Sequence, residues 1–213
     1  MEIEESLLLR EDKNGICNLT LNRPKARNAL SFELMELMIA ELKTINQNNN
    51  LKVVILDAKG PAFCSGHDLK ELKSVDDHEF TEKVFQKCSN MMMEIMKLKI
   101  PVIAKVHGIA TAAGCQLVAT CDLAIASNES VFATPGVNIG LFCTTPSVAL
   151  SRVTPRKKSL EMLLTGENIS AETAVKFGLI NSRVEKEKLD AEVERLARVI
   201  TKKPKRVIEI GKK

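Results

Sequence analysis

The chain has 213 residues, a mass of 23.5 kDa and a formal net charge of +4, and is 45% hydrophobic and 27% charged, the balance of an ordinary globular protein. This excludes disordered, collagenous and low-complexity classes and predicts one domain, or one with a small appendage. Balanced charge gives no nucleic-acid footprint, and with no Trp or Tyr the seven Phe offer few platforms for stacking bases.

The acidic start, MEIEESLLLRED, has neither the apolar run of a signal peptide nor the Arg/Ser bias of a transit peptide. Residues 15–21 alternate apolar and polar and predict a half-buried strand ending at Asn22-Arg23-Pro24. Ser31 caps a predicted helix through Asn46, with Leu34, Leu37, Met38, Leu42 and Ile45 on one face. Residues 53–56 predict a buried strand, followed by a loop over 59–66 and a short helix from about Asp68. A long amphipathic helix over 77–98 turns Phe80, Val84, Cys88, Met91, Met92 and Ile95 inward, the methionines as core filler. Strands follow at 102–106, 123–126 and 131–133, with a helix over 112–120 between the first two. The last third predicts helices at 156–164, 171–177 and 187–201, so strands cluster early and helices late in a parallel α/β layout.

Neither long uncharged stretch, 106–121 or 130–151, predicts a membrane span, the first being too short and the second broken by Pro and Gly. Six scattered cysteines without C-x-x-C spacing, and histidines only at 67, 78 and 107, predict reduced thiols and no metal site. His107 reads as a turn residue, His78 as solvent-facing and Asp122 as a local cap or pair.

Two strand-to-helix junctions of small residues hold the chemical interest: Phe63-Cys-Ser-Gly-His-Asp-Leu69 and Ile109-Ala-Thr-Ala-Ala-Gly-Cys-Gln116. At such junctions unpaired backbone N–H groups point outward with the positive end of a helix dipole behind them, and small residues admit a ligand to the backbone. Two converging N–H groups make an oxyanion hole; tight packing is the competing reading.

The runs LNRPKARNALS (21–31), VVILDAKGPAFCSGHDLKEL (53–72) and PVIAKVHGIATAAGCQLVATCDLAIAS (101–127) resemble the enoyl-CoA hydratase/isomerase, or crotonase, superfamily. The similarity continues through FATPGVNIGLFCTTPSVALSR (132–152) and LLTGENISAETAVKFGLI (163–180). The resemblance implies a crotonase-like α/β spiral of strand–strand–helix turns over 1–201, with 202–213 beginning a helical C-terminal part that is otherwise missing. It implies an acyl-CoA thioester as ligand, coenzyme A being part of the substrate and no separate cofactor needed. It also implies a homotrimer or dimer of trimers at full length, and the mitochondrial matrix for a eukaryotic source with its presequence absent; otherwise the cytoplasm.

Residue by residue, the resemblance makes the backbone N–H groups of His67 and Ala113 the oxyanion-hole donors. It lays Lys25, Ala26 and Arg27 along the pantetheine and nucleotide, with Asp68 and Leu69 further along the CoA path, and puts Phe63, Pro135, Gly136 and Ile139 on the acyl side. Gln116 and Gly136 stand where hydratases of this family carry two glutamates. A primary amide exchanges no proton near neutral pH and Gly has no side chain, so ordinary hydration and double-bond shift are not expected. Any activity is expected to be enolate-forming, lyase- or decarboxylase-like, and glutamates restored at 116 and 136 should raise hydration if the pocket keeps its shape. A non-catalytic regulatory protein with the same fold is the alternative. An RNA-binding relative ranks last, because helix 31–46 carries only Lys43. Among candidate replacements, His67 is read as acting through its backbone alone, and Cys64 and Cys143 as structural thiols.

Overall fold

The computed structural model describes residues 6–75 and 77–212; residues 1–5 of the acidic start, Asp76 and Lys213 lie outside the described residues. β1 (Leu8–Lys13) turns through Asn14 and Gly15 into an antiparallel β2 (Ile16–Leu21). Both turn residues have positive φ, 54° and 80°, which Asn-Gly tolerates in a tight hairpin. The acidic sequence hides this edge strand.

From β2 the chain winds as a spiral. α1 (Phe32–Gln47) leads to β3 (Val53–Ala58), and α2 (Leu69–Val75) with α3 (His78–Lys97) leads to β4 (Val102–Val106). The turns then tighten through β5 (Ile109–Thr111), α4 (Ala113–Thr120), β6 (Leu123–Ser127) and β7 (Val131–Ala133). α5 (Thr144–Val153), α6 (Arg156–Thr165), β8 (Ile169–Ser170), α7 (Ala171–Phe177) and β9 (Ser182–Val184) follow, then α8 (Leu189–Thr201) and α9 (Lys205–Lys212). Strands therefore recur late in the chain, and α5 fills a stretch with no predicted element.

Among the described residues, one sheet runs β1-β2-β3-β4-β6-β9, parallel after its first pair, and a second runs β5-β7-β8. Single bridges Leu30–His67 and Cys64–Ala110 carry the small sheet back into the earlier turns. Successive turns thus give a strand to the large sheet and an extended segment to the small one, the strand–strand–helix spiral the motifs imply.

Strand patterning follows from which faces are covered. Cys17, Leu19, Leu21, Val54, Leu56, Ala104 and Val106 point into the main core with α1, α3 and α4. Ile16, Val53, Ile55, Ile103 and Ile125 lie on the opposite face, under Leu189, Val193 and Ala197 of α8. That lid explains why β3 is apolar without alternation. Side-chain caps fix the helix starts: Ser31 accepts from the N–H of Leu34, Asp77 from those of Glu79 and Phe80, and Ser170 from that of Thr173. All six cysteines are buried and unpaired. Among the described residues, no helix is long and apolar enough to cross a membrane.

Candidate active site

The two small-residue junctions meet backbone to backbone. The Cys64 N–H donates to the Ile109 carbonyl (3.1 Å), and the Thr111 N–H donates to the Cys64 carbonyl (3.0 Å). A Cβ on Gly114 would run into that same Cys64 carbonyl, so only glycine allows the approach. Asn28, itself at φ 52°, clamps the first loop: Nδ2 donates to the carbonyls of Lys59 (2.8 Å) and Ala62 (2.7 Å), and Oδ1 accepts from the Arg23 N–H (2.8 Å). His107 joins the loops through Nε2, 2.8 Å from the Gly60 carbonyl.

This packing leaves two unpartnered backbone N–H groups near one another. Leu30 bonds to the neighbours of His67, donating to the Gly66 carbonyl (2.8 Å) and accepting from the Asp68 N–H (3.1 Å), so the N–H of His67 itself faces the other way. On that side a Cβ built on Gly66 would lie 3.5 Å from the Ala113 nitrogen, the first residue of α4. Among the described residues, neither the His67 nor the Ala113 N–H has a hydrogen-bond partner. Ala112, one residue before α4, holds φ 51° and ψ −119°, a conformation costly for a residue with a Cβ. The strain sits where the chain must turn to present Ala113. α4 is buried around nearly its whole circumference, so its positive N-terminal end acts through little water.

Two cavities meet at His67, and Ala113 lines one of them. One, about 430 Å³, is lined by Phe85, Ala113, Pro135, Gly136, Ile139 and Phe142 among others; the second, about 720 Å³, runs past Arg23, Lys25, Ala26, Arg27, Asp68 and Lys70. Ser65, His67 and Leu69 border both. Lys25, Arg27 and Lys70 are exposed along the groove. Asp68 is engaged inside the protein: burial alone would raise its carboxyl, but the Arg23 guanidinium 2.9 Å away and the N–H groups of Glu71 and Lys70 hold it below the usual carboxylate range. Phe63 belongs elsewhere. It is fully buried in the core and lines neither cavity, one residue before the bridge that ties Cys64 to Ala110.

The positions without glutamate differ from each other. Gln116 is buried with Oε1 unpartnered, and it does not line the apolar cavity. Gly136 does line it, but a Cβ there would strike the Leu141 carbonyl and come within 2.8 Å of Cys143 Sγ. The Leu141 N–H donates to the Gly136 carbonyl (2.9 Å), locking that turn. The space a side chain at 136 would need is filled, so the condition set for restoring glutamates, that the pocket keeps its shape, is not met at Gly136 without a shift of the Leu141 turn.

Among the described residues, neither His67 nor the two candidate thiols is a ready base. The His67 ring packs edge-on against Phe85 at 4.9 Å, its Nε2 is sealed without a partner, and burial lowers its pKa to about 4. Burial pushes the Cys64 thiol up to about 12 and raises that of Cys143, so neither is a ready nucleophile. Asp122 is no local cap: its carboxylate accepts from the Val102 N–H (2.7 Å) and pairs with Lys212 (2.6 Å). Asn28, Ala112, Phe85 and Leu141 are site elements that residue type alone does not announce; only the left-handed tendency of Asn carries a signal.

The sequence matches the family model described as enoyl-CoA hydratase/isomerase over residues 11–213. It is 48% identical over 211 residues to mouse "Enoyl-CoA hydratase domain-containing protein 3, mitochondrial", covering 99% of this chain and 70% of the relative. The human protein of that name is 50% identical over 199 residues, covering 93% of this chain and 66% of the relative. The fold superposes on a Mycobacterium smegmatis enoyl-CoA hydratase structure with a TM-score of 0.96 at 48% identity, covering 98% and 81% of the two chains. The crystal structure of the human domain-containing protein 3 gives 0.94 at 48% identity, covering 97% and 82%.

Proposed function

Because the chain belongs to the enoyl-CoA hydratase/isomerase family, we propose that it binds acyl-CoA thioesters and polarises their carbonyl without hydrating a double bond. The observation that carries the reading is the pair of unpartnered N–H groups, His67 and Ala113, where an apolar cavity meets a groove edged by exposed cations. A thioester has the matching shape: an apolar arm, a carbonyl, and a long polar arm ending in phosphates. The carbonyl oxygen accepts from both donors, with the N-terminal end of α4 behind Ala113. The acyl arm enters the cavity, and pantetheine and phosphates follow Lys25, Ala26 and Arg27. Negative charge developing on the oxygen in an enolate is held by donors already in position.

Hydration asks for more. Water must lose a proton to a base and Cα must receive one from an acid, and neither the Gln116 amide nor Gly136 supplies these. The reading also takes the protein to be a homotrimer and, for a eukaryotic source, a resident of the mitochondrial matrix. Family membership and the word "mitochondrial" in the relatives' names support this.

The test pairs calorimetry with a hydration assay. Butyryl-CoA should bind more weakly as salt rises, because the groove cations face phosphates. Crotonyl-CoA hydration should lie at least about 10²–10⁴-fold below that of a family hydratase bearing both glutamates. Absence of CoA-thioester binding, or hydration at a hydratase's rate in protein free of host enzyme, would contradict the reading.

A further inference from the structure

One carboxylate at the groove belongs to no step described above. Glu71 borders the groove from the first turn of α2, and its Oε2 accepts from the N–H of Phe32 (2.9 Å), the first residue of α1. The starts of the two helices are thereby tied together. α1 is the fixed partner: Leu34, Met35 and Met38 are fully buried in the core, and Ser31 accepts from the Leu34 N–H. The Phe32 ring is held by α3, with the Phe80 ring at 6.0 Å and Lys87 Nζ over its face at 4.5 Å. The Phe32 N–H has no acceptor inside α1, so a carboxylate there meets both a bare donor and the positive end of a 16-residue helix. The other polar ties of this segment lie earlier. The Arg23–Asp68 pair and the bonds of Leu30 to Gly66 and Asp68 all act before Leu69, where α2 begins. Within α2, Leu72 packs against the core and the Ser74 hydroxyl bonds back to the Glu71 carbonyl. Among the described residues, the Glu71 carboxylate makes the one hydrogen bond that joins α2 to another element.

We propose that Glu71 is a positioning residue for the thioester site: by holding the Phe32 N–H it keeps α2 where Leu69 and Lys70 line the path of the ligand. The inference rests on the thioester reading above. Leu69 borders both cavities and Lys70 borders the groove with Arg23 and Lys25, so a displaced α2 takes an apolar contact and a cation away together. A negative charge beside a groove for phosphates would by itself weaken binding. Its use here is to fix the helix that carries Lys70. Affinity scales with the fraction of molecules in which α2 is in place. A hydrogen bond to a charged group biases such a local equilibrium by about tenfold or more, and the contact of Leu72 retains part of it.

The test is calorimetry with CoA and butyryl-CoA on the 213-residue protein and its variants, at a temperature where circular dichroism shows each one folded. Glu71→Ala should raise both dissociation constants by a similar factor, about three- to tenfold. The sign is diagnostic, because removing a carboxylate that merely sat beside the phosphates would tighten binding. Glu71→Gln keeps an acceptor of the same reach and should restore affinity to within about twofold of the parent. Glu71→Met has the length without the acceptor; it should match the alanine protein, and takes its place if that variant does not fold. Unchanged or tighter binding by the acceptor-free variants would overturn the inference and leave the thioester reading standing. Equal weakening in the glutamine protein would overturn it too, since the bond to Phe32 would then not be what counts. A lower melting temperature with unchanged dissociation constants would make Glu71 a structural residue only, and the inference wrong. Failure of both CoA compounds to bind the parent protein would overturn this inference and the thioester reading together.

Discussion

The imidazole of His67 stands against Phe85 with Nε2 out of reach of water, and its backbone N–H has no partner among the described residues where the two cavities border each other. Ring and backbone therefore have separate duties. With a pKa lowered to about 4, the ring is neutral at physiological pH and donates no proton to a substrate. The same shift has a stability consequence whose sign is fixed. Between the unfolded value near 6.5 and the folded value, the unfolded chain holds a proton the folded chain lacks. Stability from the neutral ring is complete above about pH 6.5 and falls as pH drops toward 4. His67→Phe keeps the N–H and removes the titration, so its melting temperature should decline less between pH 7 and pH 5, by about 2–5 °C. Thermal melts of both proteins across that range decide it; parallel declines would mean that the ring is solvated in the native state.

At the scale of elements, the site depends on two loops held together by side chains that touch no ligand. Asn28 is fully buried, and its amide satisfies the carbonyls of Lys59 and Ala62 and the N–H of Arg23 together. Asn28→Ala leaves those groups unpaired at a left-handed position, a loss of about 3–5 kcal/mol in urea denaturation. A loss below about 1 kcal/mol would show the clamp to be redundant. The acid-free wall has an equally local cause. The bond from the Leu141 N–H to the Gly136 carbonyl closes a turn whose Leu141 carbonyl occupies the room a side chain at 136 would use. The sequence announces a missing glutamate there; only the turn reveals that its place is taken.

Over the whole molecule, legibility tracked how much of each element's cause is local. α1 and α3 were readable because Ser31 and Asp77 cap them and their apolar stripes bury a single face. β1 was hidden because its polar side chains face water on a sheet edge, and only Asn14-Gly15 betrays the hairpin. α5 begins at Thr144 after Cys143, which gives no side-chain cap, and carries Pro146 in its first turn, so its sequence resembles a loop. β8 and β9 have two and three residues and exist through pairing with distant strands. At the site, the two junctions were visible as runs of small residues, while the groove residues Lys25, Ala26 and Arg27 were implied by the family resemblance alone. The inward turn of Phe63 and the filled space beside Gly136 depend on contacts made after folding.

The central claim is that the N–H groups of His67 and Ala113 jointly accept a thioester carbonyl. Isotope-edited difference infrared spectroscopy observes that group directly. Octanoyl-CoA labelled with ¹³C at the thioester carbonyl is bound to the protein, and its carbonyl stretch is compared with that of the same compound in water. Two fixed donors at a helix N-terminus, screened by little water, should polarise the carbonyl more than bulk water does, moving the stretch to lower frequency and narrowing it. A bound carbonyl absorbing at or above its aqueous frequency would contradict the account, because the two N–H groups would then be free without serving the ligand.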